Sequence, residues 1–388
     1  MIAEQQLLTF LLDILAYFAI YLAVNTSLNL EYGLTGIPNF GKVLAVAGGA
    51  FVVGAIPGRV LANYLGILQG FKAVETNPAL SVCREPLLIL VKIKPKILEG
   101  MDYIEDNSVV GDCIRRVMAN DPMLSVTLLV ATVGLAAAVG AALGFVASYP
   151  AIRLREDYLA MTLLAMGEFL AQVGYLESNL VGGTKGVFAP DPYGWLGEYR
   201  ITASQLVILL VALIFFFYMW QISLSPAGRV LKSIRDHEVA AEVLGKDVVR
   251  VKQKVLIVSS LMASVAGALW AFNSQSVIAS TYDRLHWTFW PWVMVIIGGA
   301  GNYKGILLGT AVFVILRRTI DTYRYVLEPL IPFSLIWLDR LLFGIALIIV
   351  LIVRPQGILP DRPTPAIQKP YLRKILLKQL GSRNDILE

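Results

Sequence analysis

The sequence is poor in charged residues and in the residue types that carry out chemistry. Asp, Glu, Lys and Arg make up only 16% of its 388 residues, whereas a soluble globular chain has about one-quarter. The two histidines, His237 and His286, are isolated, and the two cysteines do not have the spacing of metal ligands. The sequence also contains no Ser/His/Asp arrangement, no His-Glu-x-x-His and no phosphate-binding Gly-x-x-x-x-Gly-Lys-[Ser/Thr]. We therefore predict no catalytic residues, no metal and no bound ATP in this chain.

The basic residues are not arranged as they are in nucleic-acid-binding proteins. The net charge is +5, but no Lys/Arg-rich stripe interleaved with aromatic residues occurs, so we predict no nucleic-acid partner. The basic residues instead concentrate in segment 222–254, in the tail after Val353 and, as Arg153 and Arg155, before the fourth apolar run. Cytoplasmic loops of membrane proteins carry such an excess of Lys and Arg. We expect these three segments, and with them the C-terminus, to lie in the cytoplasm.

Long apolar runs are what the sequence has in place of charge. Hydrophobic residues make up 57% of the chain, and its mean hydropathy is +0.67. A membrane-spanning helix needs roughly 20 apolar residues, and the candidate runs are 7–28, 41–69, 123–149, 158–178, 203–222, 254–279 and 337–353. Residues 288–318 contain two shorter runs around a glycine-rich turn, which form either two tilted crossings or one re-entrant hairpin. We predict an all-α membrane protein, a polytopic bundle of about nine transmembrane helices, some short or re-entrant, with the N-terminus outside.

These runs divide the chain into N-terminal membrane helices, a polar insertion, a core bundle and a basic tail, at 1–69, 70–122, 123–353 and 354–388. Because residues 1–6 lack a basic region and a cleavage site, the first run is predicted to be a retained helix. The insertion has mixed charge, and the crossing count places it outside the cell. In that oxidising compartment, Cys83 and Cys113 of the insertion either form a disulfide, worth about 3–4 kcal/mol, or stay free thiols.

The most informative segment is 222–254, in which we predict a short cytoplasmic helix at 233–245. Asp236 is expected to cap the start of this helix, and Gly245 suits a left-handed cap at its end. A small apolar face is formed by Val239, Ala240, Val243 and Leu244. Such a helix either docks into a groove on a soluble partner or lies in the lipid interface, attracted by its basic flanks. The residues alone favour neither alternative.

Six segments spread along nearly the whole chain resemble, in this order, those of one family. They are Asn29 to Gly41, Arg153 to Leu163 with Glu168, Gly182 to Gly186, Ser225 to Gly245, Ile297 to Gly305, and Val353 to Leu359. On this hydropathy profile they are similar to segments of permease subunits of bacterial and archaeal ATP-binding-cassette importers. The resemblance is closest to the M-type transmembrane subunit of the branched-chain amino acid uptake family, whose relatives carry urea, amides and other neutral amino acids.

The resemblance implies a prokaryotic cell-membrane importer with several subunits. This chain would pair with a second permease subunit, two cytoplasmic ATPase subunits that bind the ATP, and an extracytoplasmic solute-binding protein. The helix at 233–245 would couple it to the ATPases through Arg235, Glu238, Ala240, Ala241, Glu242 and Gly245. Such importers often have Glu-Ala-Ala-x-x-x-Gly in this helix, and here Val239 occupies the glutamate position, so Glu238 or Glu242 would have to substitute. The insertion matches nothing in the family.

Polar residues in and beside the spans are candidates for the path of the solute. Glu168 lies in the middle of an apolar run, where an ionisable side chain is costly and usually functional. It either faces the path or the second permease, or fixes the helix register through a hydrogen bond. The turn clusters around Asn39 and Thr184 either line a cavity for a zwitterionic solute or are simply turns. We select Asn39, Glu168 and Thr184 as candidate contacts, and expect Asp13, nearer a helix end, to cap or snorkel.

The favoured hypothesis is a permease for branched-chain or other neutral amino acids, driven by partner ATPases. One alternative is a permease of the same type for urea or short amides. Another is a self-contained secondary transporter, for which broken helices near 298–305 would be suitable. That alternative leaves the docking helix unexplained, and an intramembrane enzyme is disfavoured by the missing catalytic residues.

Overall fold

The computed structural model describes residues 2–69, 78–83, 101–322 and 356–361, and a few positions of one further segment, namely 341, 344, 345, 348, 349, 352 and 353. The helices are α1 (Ile2–Leu28), α2 (Lys42–Ala55), α3 (Pro57–Leu65), α4 (Asn107–Asn120), α5 (Pro122–Arg153), α6 (Glu156–Leu176), α7 (Ser178–Val181), α8 (Arg200–Leu224), α9 (Pro226–Asp236), α10 (Glu238–Val243), α11 (Val248–Ser274), α12 (Trp290–Gly298) and α13 (Tyr303–Thr322). Two short strands, β1 (Val187–Phe188) and β2 (Ser276–Val277), form an antiparallel pair.

Six helical segments within the described ranges are long and apolar enough to cross a membrane. They are Phe10–Gly33, Lys42–Leu65, Pro122–Arg153, Asp157–Leu176, Gly194–Leu224 and Val248–Ser274. They coincide with the first six predicted runs, and the chain is therefore an all-α, multi-pass membrane protein, as predicted. The run at 337–353 and the tail at 354–388 lie largely outside the described residues. The count of nine crossings stays a prediction.

The two shorter runs at 288–318 form a hairpin whose arms differ in length. A π-helical turn, Leu285–Phe289, leads into α12, which has only nine residues, and α13 returns beside it over 20 residues. A Cβ on Gly309 would lie 2.7 Å from the backbone nitrogen of Gly298, so only glycine permits this approach. The turn and α12 form one continuous helical arm of 14 residues, which rises about 20 Å. The choice between two tilted crossings and one re-entrant hairpin stays a prediction.

The centre of the bundle is formed by α2 and α11. In each of these two spans 78% of the most apolar 18-residue stretch is buried, whereas the corresponding share is 17–22% in the spans of α5, α6 and α8. α11 packs against α5, α2 and α1. A Cβ on Gly144 of α5 would lie 2.6 Å from the carbonyl oxygen of Leu256 of α11, so small residues allow this close packing. The apolar outer faces of α5, α6 and α8 are left for lipid or another protein.

The bundle has two distinct ends. α1 ends near α9 and α10, because Arg235 of α9 donates a hydrogen bond to the carbonyl oxygen of Gly33 at 2.6 Å; we call this the α10 end. α11 begins there and runs to β2 at the other end, which we call the insertion end. At the insertion end Val187 of β1 pairs with Val277 of β2, and the backbone nitrogen of Phe188 donates to Asn107 at the start of α4.

The described part of the insertion is folded onto this second end. Cys83 and Cys113 are fully buried and joined as a disulfide, with Cα atoms 5.2 Å apart. α4 packs against α3 and against the turn Gly194–Tyr199. Backbone N–H groups of Glu105 and Ile104 donate to Asp102 and hold the pKa of that carboxyl below its ordinary value. Of the two alternatives for the cysteines, the structure has the disulfide, which attaches one part of the insertion to the other.

Candidate functional site

The structure corrects the single helix predicted at 233–245. α9 ends at Asp236, the backbone of His237 is extended, and α10 begins at Glu238. Asp236 does not cap α10, because it lies one residue too early for its carboxylate to reach the first free amides; it pairs with Arg235 at 3.0 Å. Gly245 does follow α10 in the left-handed region, with φ of +78°, as predicted.

α10 presents a patch of apolar side chains to solvent. Val239, Val243 and Leu244 are 73%, 82% and 78% exposed, and Ala240 between them is exposed as well. These four positions lie on one face, because residues four apart in a helix are neighbours. We call them the α10 surface. Contiguous apolar side chains that remain exposed mark contact sites, and the carboxylates of Glu238 and Glu242 border this one.

Ala241, which we predicted as a contact with the ATPases, does not belong to the α10 surface. Its side chain is 2% exposed and packs against Ile234 of α9 and Val248 of α11. On the same side, Glu238 forms an ion pair of 2.6 Å with Lys252 of α11. Ala241 therefore seats α10 on its two neighbouring helices and leaves the opposite face free.

Arg235 is likewise engaged inside the chain. Its guanidinium donates to the carbonyl oxygen of Gly33 at 2.6 Å and to the carboxylate of Asp361 at 3.2 Å. Lys232, one turn earlier, donates to the other oxygen of Asp361 at 2.8 Å. These bonds attach α9 to the end of the first span and to the described segment 356–361. Gly33 lies in the family-like segment Asn29 to Gly41, but no sequence motif pointed to Asp361; the two residues lie 202 and 126 residues from Arg235.

The three predicted path residues are not brought together. Asn39 is 4% exposed, and its side chain bonds to Glu31 and to the backbone nitrogen of Gly41. Glu168 lies half-buried on α6. Thr184 is exposed in a turn at the insertion end. Their contact with a solute stays a prediction, and the structure gives Asn39 a different set of partners.

Asn39 belongs to a buried ion-pair cluster that sequence patterns did not reveal. The carboxylate of Glu31 and the ammonium of Lys42 lie 3.0 Å apart, and both side chains are completely buried. The amide of Asn39 and the hydroxyl of Ser259 on α11 also donate to Glu31. A buried charge needs such partners, because it has given up its hydration. The cluster holds the break between the first two spans against the central helix.

Five of the six segments that carry the family resemblance meet at the α10 end, where Leu159 and Leu163 pack in one cluster with Leu34 and Leu231. The side chain of Asn29 accepts a hydrogen bond from the backbone nitrogen of Gly301 at 2.8 Å. Asn29 begins a π-helical turn, Asn29–Gly33, and Arg235 donates to the carbonyl oxygen of Gly33 at its end. The backbone nitrogen of Ile358 donates to the carbonyl oxygen of Ile297 at 2.9 Å. Segments far apart in sequence thus support one platform, on which the α10 surface is displayed.

These features define a multi-pass helical membrane protein that displays a short helix at one end of its bundle. The chain belongs to the family described as branched-chain amino acid transport system / permease component, whose model matches residues 10–351. It is 32% identical over 361 residues to the probable branched-chain amino acid transport permease protein LivM of Methanocaldococcus jannaschii, covering 92% of this chain and 95% of that protein. It is 27% and 26% identical over 251 residues to the high-affinity branched-chain amino acid transport system permease proteins LivM of Salmonella typhimurium and Escherichia coli, covering 58% of this chain and 56% of each. No solved structure matches it.

Proposed function

We propose that this chain is a permease subunit of an ATP-binding-cassette importer for branched-chain or other neutral amino acids. The names of its relatives support the substrate class. The observation that carries the proposal is the α10 surface, in which three large apolar side chains are more than 70% exposed on a helix that is itself firmly seated. A partner ATPase subunit would bind this rigidly held helix in a groove on its own surface.

The contacts beneath α10 provide a route for the force. Ala241 and the Glu238–Lys252 ion pair connect α10 to α11, the helix at the centre of the bundle. Arg235 connects α9 to Gly33 at the end of the first span. A push on α10 is therefore delivered to both elements at once. ATP binding and hydrolysis in the partners would drive the bundle between outward and inward openings by this route.

The two ends of the bundle fit opposite sides of the membrane. We assign the α10 end, with its basic residues, to the cytoplasm, and the insertion end, with its disulfide, to the oxidising exterior. The N-terminus then lies outside and the C-terminus inside, which an odd number of crossings such as nine requires. A second permease subunit, two ATPases and an extracytoplasmic solute-binding protein complete the importer, and the ATP is bound by the ATPases.

A charge placed on the α10 surface tests this proposal. Val243→Asp adds a carboxylate to an 82% exposed position, so it leaves the fold intact. The added charge destabilises only a complex in which a partner subunit buries this position. We expect the variant to insert normally but to lose co-purification with its ATPase subunits. ATP-driven uptake of labelled leucine into proteoliposomes should fall by about tenfold or more, as is typical of a charge buried without a partner.

Val249→Asp is the matched control, because Val249 is exposed in the first turn of α11 and lies outside the α10 surface. We expect this variant to retain both the ATPase subunits and uptake. If Val243→Asp transports leucine as well as the unchanged chain does, the α10 surface is not the site at which the ATPase subunit binds, and the proposal fails.

A further inference from the structure

A cavity of about 430 Å³ opens at the insertion end, away from the α10 surface. Its walls come from α1, from the end of α11, from the turns after β2 and from Arg317 of α13. We call it the aromatic cavity, because the rings of Tyr17, Tyr21, Trp270 and Trp287 line it. Pockets of about 300–1,000 Å³ are typical of small-molecule sites.

The rings of the aromatic cavity support one another. Tyr17 meets Trp270 edge-on with centroids 4.8 Å apart, Trp270 lies 6.2 Å from Trp287, and Trp287 lies 5.9 Å from Tyr21. Such contacts fix the orientation of each ring. The cavity therefore has stiff apolar walls, which suit an aliphatic group that fills space between them.

Arg317 gives the aromatic cavity a positive charge, and His286, which also lines the cavity, contacts the carboxylate of Asp283 at 2.5 Å. The guanidinium of Arg317 lies 3.6 Å from the ring centroid of Trp290, and its Nε is buried without a hydrogen-bond partner in the described part of the chain. None of the carboxylates in that part lies within ion-pair distance of Arg317. The next residue, Arg318, is matched by two, at 3.1 Å from Asp13 and 3.5 Å from Asp321.

The contrast between the adjacent arginines points to an anion supplied from outside the chain. A guanidinium presents a planar fork of donors that fits a carboxylate. Snorkelling toward water would direct the group away from the protein, whereas Arg317 stacks on Trp290 and lines the cavity. The charge is thus held where a bound molecule would meet it.

The mouth of the aromatic cavity also offers acceptors. The hydroxyl of Thr281 donates to the carbonyl oxygen of Ile278 at 2.8 Å, which leaves its lone pairs free to accept from another group. Ser276 and Ser280 lie along the same wall. An ammonium group has acceptors here, and the faces of the nearby rings attract it as well.

We propose that the aromatic cavity binds an aliphatic α-amino acid within this single chain, with its carboxylate on Arg317 and its side chain between the aromatic rings. The inference rests on the proposed function, because it gives the solute of that importer a site at the extracytoplasmic end. It assigns selectivity for the carboxylate and for the apolar side chain to the permease itself. Urea and simple amides have neither group.

Binding of L-leucine to the full chain in lipid nanodiscs tests this assignment. We expect calorimetry to show saturable binding of leucine, and none of leucinamide, which lacks the carboxylate, or of urea. Arg317→Gln should weaken leucine binding by roughly tenfold to a hundredfold, because it removes a charge-assisted hydrogen bond. Arg317→Lys should recover part of the affinity, since the charge returns without the fork.

Arg284→Gln is the control, because Arg284 is an exposed cation close to the same end and does not line the cavity. It should bind leucine as the unchanged chain does. Equal binding of leucine and leucinamide overturns the proposal without any substitution, and so does full affinity in Arg317→Gln. The assay needs no ATPase, so leucine binding that persists while ATP-driven uptake is absent would refute the importer and not this site. Uptake without binding would do the reverse.

Discussion

Glu31 and Lys42 show what a single pair of charges does inside this bundle. Both are fully buried, and Asn39 and Ser259 complete the hydrogen bonds of the carboxylate. A buried ion pair adds little stability by itself, because desolvation offsets the attraction, but removing one partner leaves an uncompensated charge. The pair therefore specifies how the first two spans meet α11 more than it strengthens the fold.

Lys42→Met is expected to lower the free energy of unfolding by about 3–5 kcal/mol, because the carboxylate of Glu31 is left buried without its cation. The double variant Glu31→Gln with Lys42→Met should be clearly more stable than the single one. Unfolding by sodium dodecyl sulfate in mixed micelles measures both. Lys304→Met, at an exposed lysine, should change stability by less than about 0.5 kcal/mol. Equal losses in the single and double variants would contradict the role of the pair.

At the scale of elements, α10 is a short helix that its surroundings hold in place. A helix of six residues does not form by itself, since nucleation is costly and only a few backbone bonds follow. Burial of Ala241 and the ion pair of Glu238 with Lys252 supply what is missing. The same short helix thus has one face that fixes it and one face that is available to a partner.

Ala241→Asp should release α10, because the new carboxylate has no partner against Ile234 and Val248. We expect the backbone amides of Leu244 and Gly245, which bond within α10 and its cap, to exchange hydrogen at least about tenfold faster, as local unfolding predicts. Val243→Asp, on the exposed face, should leave exchange unchanged although we expect it to lower uptake. Identical exchange in the two variants would show that Ala241 does not seat the helix.

For the whole molecule, the two ends of the bundle differ in chemistry. One end has the α10 surface and the ion pairs of Asp361, and the other has the disulfide and the aromatic cavity. The proposed orientation puts these ends on opposite sides of the membrane. A thiol is reactive to an impermeant reagent only from the side on which it is exposed, so the orientation is directly measurable.

In intact cells, an impermeant maleimide should label Thr184→Cys, at an exposed position of the insertion end, in a chain with both native cysteines changed to serine. Val243→Cys, in a chain with both native cysteines changed to serine, should be labelled only in inverted vesicles. Labelling of Val243→Cys in intact cells would place the α10 surface outside and refute the importer.

Loss of the disulfide, which closes 30 residues, should also lower stability by about 3–4 kcal/mol.

The sequence predicted the parts of this architecture that depend on local composition. The first six spans, the break in 288–318, the exposed side chains of α10 and the left-handed Gly245 all follow from hydropathy, glycine and helical periodicity. The insertion end was harder, because the sequence left the disulfide and two free thiols equally open. The cysteines lie close only after the turn Pro78–Cys83 and α4 have packed together.

What the sequence did not reveal depends on contacts between distant residues. Asp236 has the right chemistry for a cap, but the break falls one residue later, at His237, whose backbone is extended. Ala241 looks like any other alanine of an amphipathic helix until Ile234 and Val248 cover it. The break between the first two spans was predicted, but no sequence pattern showed that Glu31 pairs with Lys42 across it. Arg317 and the aromatic rings lie on separate elements, so only the folded chain makes them a cavity.

Asp361 also limits the order in which the contacts of α9 can form during synthesis. The ribosome makes this residue after every helix described above, yet both Lys232 and Arg235 depend on its carboxylate. During synthesis α9 therefore lacks these ion pairs until residues 358–361 have been made and the backbone of Ile358 has bonded to α12. A nascent chain interrupted before residue 361 has inserted its spans but lacks the fastening beneath α10. Subunits that need a firmly held α10 would thereby pair less well with chains that end before residue 361.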